Sequence, residues 1–224
     1  MQFIINGPDV PEQLIQDHED GKVIFFCGAG VSIPVGLPGS RKLLEGIYDE
    51  LHISKEDIEK ERFEYSLDNL EHTKVVNFRT VIPKLLAIKQ DADLRTHIAL
   101  IKLANQVADD SLRLVTTNYD HLFEKACQNL NIQHRYYSAP ALPVPKKSKW
   151  NGIVYLHGFL PEEGNEKELS NLVITSGDFG LAYLTERWAS HFVSELFRNF
   201  SVCFVGYSLD DPVMRYMTDA VSAD

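Results

Sequence analysis

Val23-Ile24-Phe25-Phe26-Cys27-Gly28-Ala29-Gly30-Val31-Ser32 is the stretch on which the fold turns. Its first five residues are apolar without a break, too few for a helix and not alternating as a half-exposed strand would be. That pattern suits a strand covered on both faces, as in a parallel sheet. The glycines that follow at once suggest a strand, a tight loop and a helix start. Such a turn aims backbone N–H groups and a positive helix end at a point where a pyrophosphate can sit. A side chain at Gly28 or Gly30 would hold a phosphate off the backbone. The usual dinucleotide pattern would place a third glycine at position 33, where this chain has Ile33, and Gly36 comes three residues late. A plain tight turn therefore remains an open reading of these residues taken alone.

Working outward, four more short runs rich in β-branched or aromatic residues read as strands: 112–116, 153–156, 172–175 and 202–205. Helical stripes lie between them. Leu43, Leu44, Ile47, Tyr48 and Leu51 share one face of a helix that Ser40 can cap. Ile98, Leu100, Ile101, Leu103, Ala104 and Val107 form a second stripe, and residues 183–200 a third through Leu184, Trp188, Phe192, Leu196 and Phe200. All three read as core-facing. Strands alternating with helices predict an α/β fold: a Rossmann-like, doubly wound and mainly parallel sheet. Roughly 70 residues separate the glycine loop from the second strand, too many for one crossover helix. Residues 37–110 are accordingly expected to form an inserted helical subdomain. The core, about 1–36 and 111–224, would complete a single domain spanning 1–224. Residues 140–145 and 161–168 read as surface loops.

The composition narrows the function. With 32 acidic and 22 basic side chains among 224 residues, the formal net charge is −10. Such a surface repels phosphate backbones, and the one compact basic run, Lys146, Lys147 and Lys149, reads as a solvated loop. No nucleic-acid binding is expected. Cys27, Cys127 and Cys203 are scattered, with no C-x-x-C pair, so no zinc site is expected. Cys27 and Cys203 fall inside apolar strands, and the odd count suits a reducing compartment. Residues 1–11 lack the basic start and long apolar stretch expected of a signal peptide, and no run reaches ~18 apolar residues. A cytoplasmic, membrane-free protein is the expectation.

Four of the five strands are followed by polar or glycine-rich loops, where ligands of open α/β sheets gather. The first is Gly28 to Ser32. The second is Thr116-Thr117-Asn118-Tyr119-Asp120, in which Asp120 also reads as the N-cap of a helix carrying Leu122, Phe123, Ala126 and Leu130. The third is Leu156-His157-Gly158. Its imidazole stands at a strand's carboxyl end, with a purely structural histidine as the alternative and His121 as the nearest competitor. The fourth is Gly206-Tyr207-Ser208-Leu209-Asp210-Asp211-Pro212. Here Gly206 turns the chain, Ser208 can bond a phosphate or ribose hydroxyl, and Asp211 with Pro212 reads as the start of a helix.

In this order the four loops resemble the sirtuin family, over about residues 23–212. Gly28-Ala29-Gly30-Val31-Ser32 matches its first NAD-binding motif, and Thr116-Thr117-Asn118-Tyr119-Asp120 is similar to its Thr-Gln-Asn-Ile-Asp loop. His157-Gly158 matches the catalytic histidine and its glycine, and Gly206-Tyr207-Ser208 the late Gly-Thr-Ser motif. The four-cysteine zinc module of sirtuin deacylases has no counterpart after His157, and Leu37-Pro38-Gly39-Ser40-Arg41 replaces the Pro-Asp-Phe-Arg stretch. Deacylation is therefore not expected. The spellings Thr-Thr-Asn-Tyr-Asp and Gly-Tyr-Ser-Leu-Asp-Asp-Pro resemble the sirtuin-like domains of bacterial antiphage defence proteins, which hydrolyse NAD.

That resemblance implies an NAD glycohydrolase with NAD as substrate and no zinc. It also implies a homo-oligomer, and a fused or associated sensor or NTPase module, the chain being the N-terminal part of a longer protein. It implies site roles as well. Asn118 would position the ribose and a water, Asp120 the nicotinamide carboxamide, and His157 would bond the ribose hydroxyls and act as general base. Gly28, Ala29, Gly30 and Ser32 would cradle the pyrophosphate, with Thr117 lining the site and Gly206 and Ser208 on the phosphate or adenosine ribose. A module that binds NAD or ADP-ribose without reacting is the alternative. It would keep the glycine loops but has no need of Asn118, Asp120 and His157 together. A Rossmann oxidoreductase is disfavoured, because no acidic residue closes a second strand ~20 residues after the loop.

Overall fold

A computed structural model describes residues 2–54, 63–73, 77–106, 110–146, 149–161 and 166–208. In chain order its main elements begin with α1 (Glu12–Glu19), β1 (Val23–Cys27), α2 (Ser40–Glu50), α3 (Phe63–Thr73) and α4 (Ile82–Leu85). Next come α5 (Arg95–Ala104), β2 (Asn105–Gln106), β3 (Ser111–Thr116), α6 (Leu122–Asn129), β4 (Tyr136–Ser138) and β5 (Gly152–Tyr155). The described part ends with α7 (Glu166–Leu169), α8 (Ser176–Phe179), α9 (Trp188–Asn199) and β6 (Ser201–Val205). Five strands pair in parallel in the order β4-β5-β3-β1-β6, with β2 antiparallel on β3. This is the Rossmann-like architecture that the apolar runs predict.

The unbroken apolar strands have their reason in the two layers. Ile24 and Phe26 of β1 join Val115, Val154 and the inner face of α9, including Phe192 and Leu196. Their alternates Val23, Phe25 and Cys27 join Leu114, Tyr155, Leu100 of α5 and Phe123 of α6. Neither face of β1 meets water. A third core is built by Leu43, Leu44 and Ile47 of α2 with Leu67 and Phe78, and it also takes in Leu160, Leu172 and Ile174 from beyond β5. The helices between β1 and α5 thus pack onto the later chain, while α5 lies on the sheet itself as a crossover helix.

Several expectations need correction. Residues 172–175 are buried but are no strand. Val173 donates its N–H to the His157 carbonyl (2.9 Å), and Ile174 and Thr175 donate theirs to Asp178 Oδ2 (3.0 and 2.8 Å). Ser40 is the first helical residue of α2 and not its cap, which is extended Gly39 without a side-chain bond. The span 183–200 is not one helix. A π-turn over Gly180–Thr185 ends before Arg187, whose left-handed backbone (φ 63°) opens α9. Leu184 is consequently 70% exposed instead of buried. On α5 the buried stripe is His97, Leu100, Ile101 and Ala104, with Leu103 at the surface and Val107 outside the described residues. Lys146 and Lys149 are exposed, and Lys147 lies outside the described residues. Among the described residues no helix is long and apolar enough to cross a membrane.

Candidate functional site

Parallel register brings the loops to one end of the sheet. Cys27 pairs with Thr116 and Val205, and Thr116 with Tyr155, so the chain leaves four strands at one level. Backbone bonds continue past the strand ends: Gly28 N–H to Val205 (3.0 Å), Thr117 N–H to Cys27 (3.1 Å) and Leu156 N–H to Thr116 (2.8 Å).

Over β1 and β3 sits a buried polar network centred on Ser32. Its hydroxyl donates to Asp120 Oδ2 (2.8 Å) and accepts from Asn118 Nδ2 (3.0 Å), while His97 Nε2 stands 3.4 Å away. Asn118 is held from behind by its own N–H bonding Thr116 Oγ1 (3.1 Å). Asp120 Oδ1 accepts the Leu122 N–H (3.0 Å), so Asp120 does cap the first turn of α6 while its other oxygen faces Ser32. The single Ser32 proton is spent on the carboxylate. Hence His97 must present Nε2–H to the hydroxyl, and its Nδ1 becomes a buried lone pair with no partner among the described residues. Burial lowers the His97 pKa to about 4 and keeps the ring neutral. Burial also pushes the Asp120 carboxyl above its usual range, against the pull of Leu122 N–H and Ser32 O–H.

Over β5 the surroundings are aromatic. His157 is 4% exposed, and its Nε2 lies 2.9 Å from the Tyr183 hydroxyl. Its edge meets Phe179 at 5.0 Å between centroids, and Phe179 and Tyr183 stack on each other. Burial lowers the imidazole pKa to about 3, so it too is neutral. Tyr119 ties the two regions together. It donates its hydroxyl to the Val173 carbonyl (2.7 Å), and Val173 in turn donates its N–H to the His157 carbonyl (2.9 Å). Arg79 anchors that segment, donating to the Leu172 carbonyl (2.8 Å) and pairing with Asp178 (2.7 Å) and Glu71 (3.0 Å).

The glycine loops differ from expectation. Gly30 donates its N–H to the Gly206 carbonyl (2.8 Å). A Cβ on Gly30 would lie 2.7 Å from the Gly206 Cα, and one on Gly206, at φ +61°, 2.5 Å from the Val31 nitrogen. These glycines let two loops touch backbone to backbone, and the N–H groups of Gly28 and Gly30 are already bonded. Two 3₁₀ turns, Ala29–Val31 and Ile33–Val35, follow in place of a long α-helix. The Ser32 hydroxyl bonds Asn118 and Asp120. Thr117 is half-buried and Ser208 exposed, and residues 209–212 with the expected helix start at Asp211 lie outside the described residues. Burial raises all three thiol pKa values, that of Cys127 to about 12, so the cysteines stay protonated. Among the described residues no three His, Cys, Asp or Glu side chains gather as a metal site would require.

Sequence reasoning missed His97 and Tyr183. His97 leads the i, i+3, i+4, i+7 stripe of α5, the signal that could have exposed it as an inward histidine. Tyr183 lies on the π-turn with its side chain buried.

The profile of the SIR2-like domain matches residues 112–224, and that of the Sir2 family matches residues 28–139. Three relatives align with nearly the whole chain. Uncharacterized protein y4cA of Sinorhizobium fredii is 31% identical over 97% of this chain and 19% of its own length. Defense-associated sirtuin 2 of Bacillus subtilis is 24% identical over 89% of this chain and 19% of its own. The NAD(+) hydrolase ThsA of Acinetobacter baumannii is 23% identical over 94% of this chain and 41% of its own. The chain thus spans from about a fifth to two fifths of the length of these relatives.

Proposed function

The chain belongs to the SIR2-like family, and from that membership we propose that it binds NAD and hydrolyses the bond between nicotinamide and ribose. The observation that carries this reading is the buried Ser32–Asn118–Asp120–His97 network, set beside His157 at the carboxyl ends of adjacent strands. Names borne by two relatives, a defence-associated sirtuin and an NAD(+) hydrolase, support it.

Nicotinamide leaves as a neutral ring and needs little proton help. The barrier lies in positive charge that builds on the ribose as the bond lengthens, so fixed dipoles and a general base near that ring are what the reaction needs. Asp120 and the free lone pair of His97 suit the N–H groups of a carboxamide, and Asn118 suits the ribose and an attacking water. His157, neutral, suits a general base at the ribose hydroxyls. Ser32 acts one step back by orienting Asn118 and Asp120. The paired loops at Gly28, Ala29, Gly30 and Thr117, and at Gly206 and Ser208, line the side where the pyrophosphate and adenosine ribose would run. No zinc takes part in this reading.

We place the activity in a longer protein, as a homo-oligomer with a sensor or NTPase module, where it depletes cytoplasmic NAD in antiphage defence. The test incubates both this chain and the longer protein with NAD and resolves products by mass spectrometry. Free nicotinamide and ADP-ribose in equal amounts are expected. NAD binding without release from either would assign a binding module instead.

A further inference from the structure

Among the described residues His157 makes one side-chain hydrogen bond, and its partner sits on an irregular element. The π-turn at Gly180–Thr185 buries Ala182 and Tyr183 while Leu181 and Leu184 stay outside. Wide turns of this kind recur where a side chain must be re-aimed at a functional site. Tyr183 is buried, stacked on Phe179 at 6.0 Å with an 18° tilt between rings, and its backbone carbonyl accepts the Ser190 hydroxyl (2.9 Å). Its hydroxyl therefore has little freedom to move away from His157.

A neutral imidazole has one N–H and one lone pair, so the partner of one nitrogen decides what the other can do. Among the described residues Nδ1 of His157 makes no hydrogen bond, and Nε2 faces the Tyr183 hydroxyl. We propose that Tyr183 is a positioning residue for His157: it accepts the Nε2–H and so leaves the Nδ1 lone pair to meet the ligand. The base role this serves rests on the NAD-cleaving reading above. The reverse arrangement, with Tyr183 donating to Nε2, would turn Nδ1 into a donor and remove the base. Phe179 supplies the wall that keeps the ring edge-on but has no polar atom to choose between tautomers.

The experiment uses the chain labelled with ¹⁵N-histidine, with the His157 signals assigned by their loss in His157→Gln. Two-bond proton–nitrogen spectra then read which ring nitrogen is protonated. The wild type is expected to show Nε2–H. Tyr183→Phe, which keeps the stack, should populate the Nδ1–H form. It should also lower kcat about 10–100-fold, the range seen when the outer partner of a metal-bound histidine is removed, with KM nearly unchanged. Phe179→Leu should keep the wild-type tautomer. Nδ1–H in the wild type, or Tyr183→Phe with wild-type tautomer and kcat, overturns the proposal, as does a tautomer change in Phe179→Leu alone. Because the spectra need no turnover, a wild type that shows Nε2–H, with no nicotinamide released by either this chain or the longer protein, would defeat the NAD-cleaving reading and leave the Tyr183 assignment standing.

Discussion

Two buried polar centres stand at the same end of the sheet and are held in opposite ways. Over β1 and β3, Ser32, Asn118 and Asp120 bond one another and the backbone, with His97 at the rim. Over β5, one hydroxyl and two aromatic rings hold His157. A network centred on one hydroxyl loses several bonds when Ser32 goes, because Asn118 and Asp120 are each left buried and short of a bond. A group with one polar partner loses only that bond. Stability and activity should therefore be entangled in the first centre and separable in the second.

The largest effect that can break this comparison is on turnover. Asn118→Ala and His157→Ala should each lower nicotinamide release by roughly 10²–10⁴-fold, the range for a positioned polar group or base. Steady-state assays on purified protein check it, and wild-type turnover in either variant removes that residue from the site. Next comes the loop contact beside both centres. Gly30→Ala puts a Cβ against the Gly206 backbone and should cost up to about 3 kcal/mol, as overpacked sites do. A denaturant midpoint equal to wild type would mean that the loops part easily.

Ser32→Ala then separates the two centres. It leaves Asp120 and Asn118 each one partner short and should cost about 2 kcal/mol, whereas Tyr183→Phe should cost about 1 kcal/mol or less. Equal losses by thermal or urea unfolding would erase the distinction. The smallest effect is graded with pH. His97 and His157 have folded pKa values lowered to about 4 and about 3. Above the unfolded value near 6.5 they impose no proton-linked loss. As pH falls below that value the unfolded chain takes up protons that the fold refuses. Each ring then removes up to about 1.4 kcal/mol per pH unit, until its folded pKa is reached. Urea midpoints at pH 7.5 and 5.5 measure the slope, and His97→Gln should reduce it. A slope unchanged in that variant would assign the acid sensitivity elsewhere.

How much of this was legible in the sequence depended on how local the cause was. Short apolar runs located β1, β3, β5 and β6; β1, β3 and β5 are buried along their length, which favours such runs, whereas β6 is half-buried throughout. Tyr136–Ser138 was too short to announce an edge strand, and 172–175 looked like a strand because it is buried, although its backbone bonds go to His157 and Asp178. Asn118, Asp120 and His157 were visible as polar residues just past strand ends. The meeting of Asn118 and Asp120 at Ser32 was not, since it joins positions 86 and 88 residues apart. In the sequence Gly28 and Gly30 suggest room for a phosphate, and Gly206 a turn toward a ligand. The structure adds a close approach of the two glycine loops to each other, which no local motif records. His97 and Tyr183 stayed hidden for a related reason, since a helical stripe shows which face is inward but not which inward residue carries chemistry.

The central claim is that the two centres serve one ligand. A crystal structure of the protein with NAD, using His157→Ala to slow turnover, tests it most directly. The nicotinamide ribose should lie between Asn118 and the space vacated at position 157, with the carboxamide against Asp120 and His97. A dinucleotide bound elsewhere on the molecule, or one that touches the Asn118 centre while position 157 stays walled off behind Tyr183 and Phe179, would contradict the account.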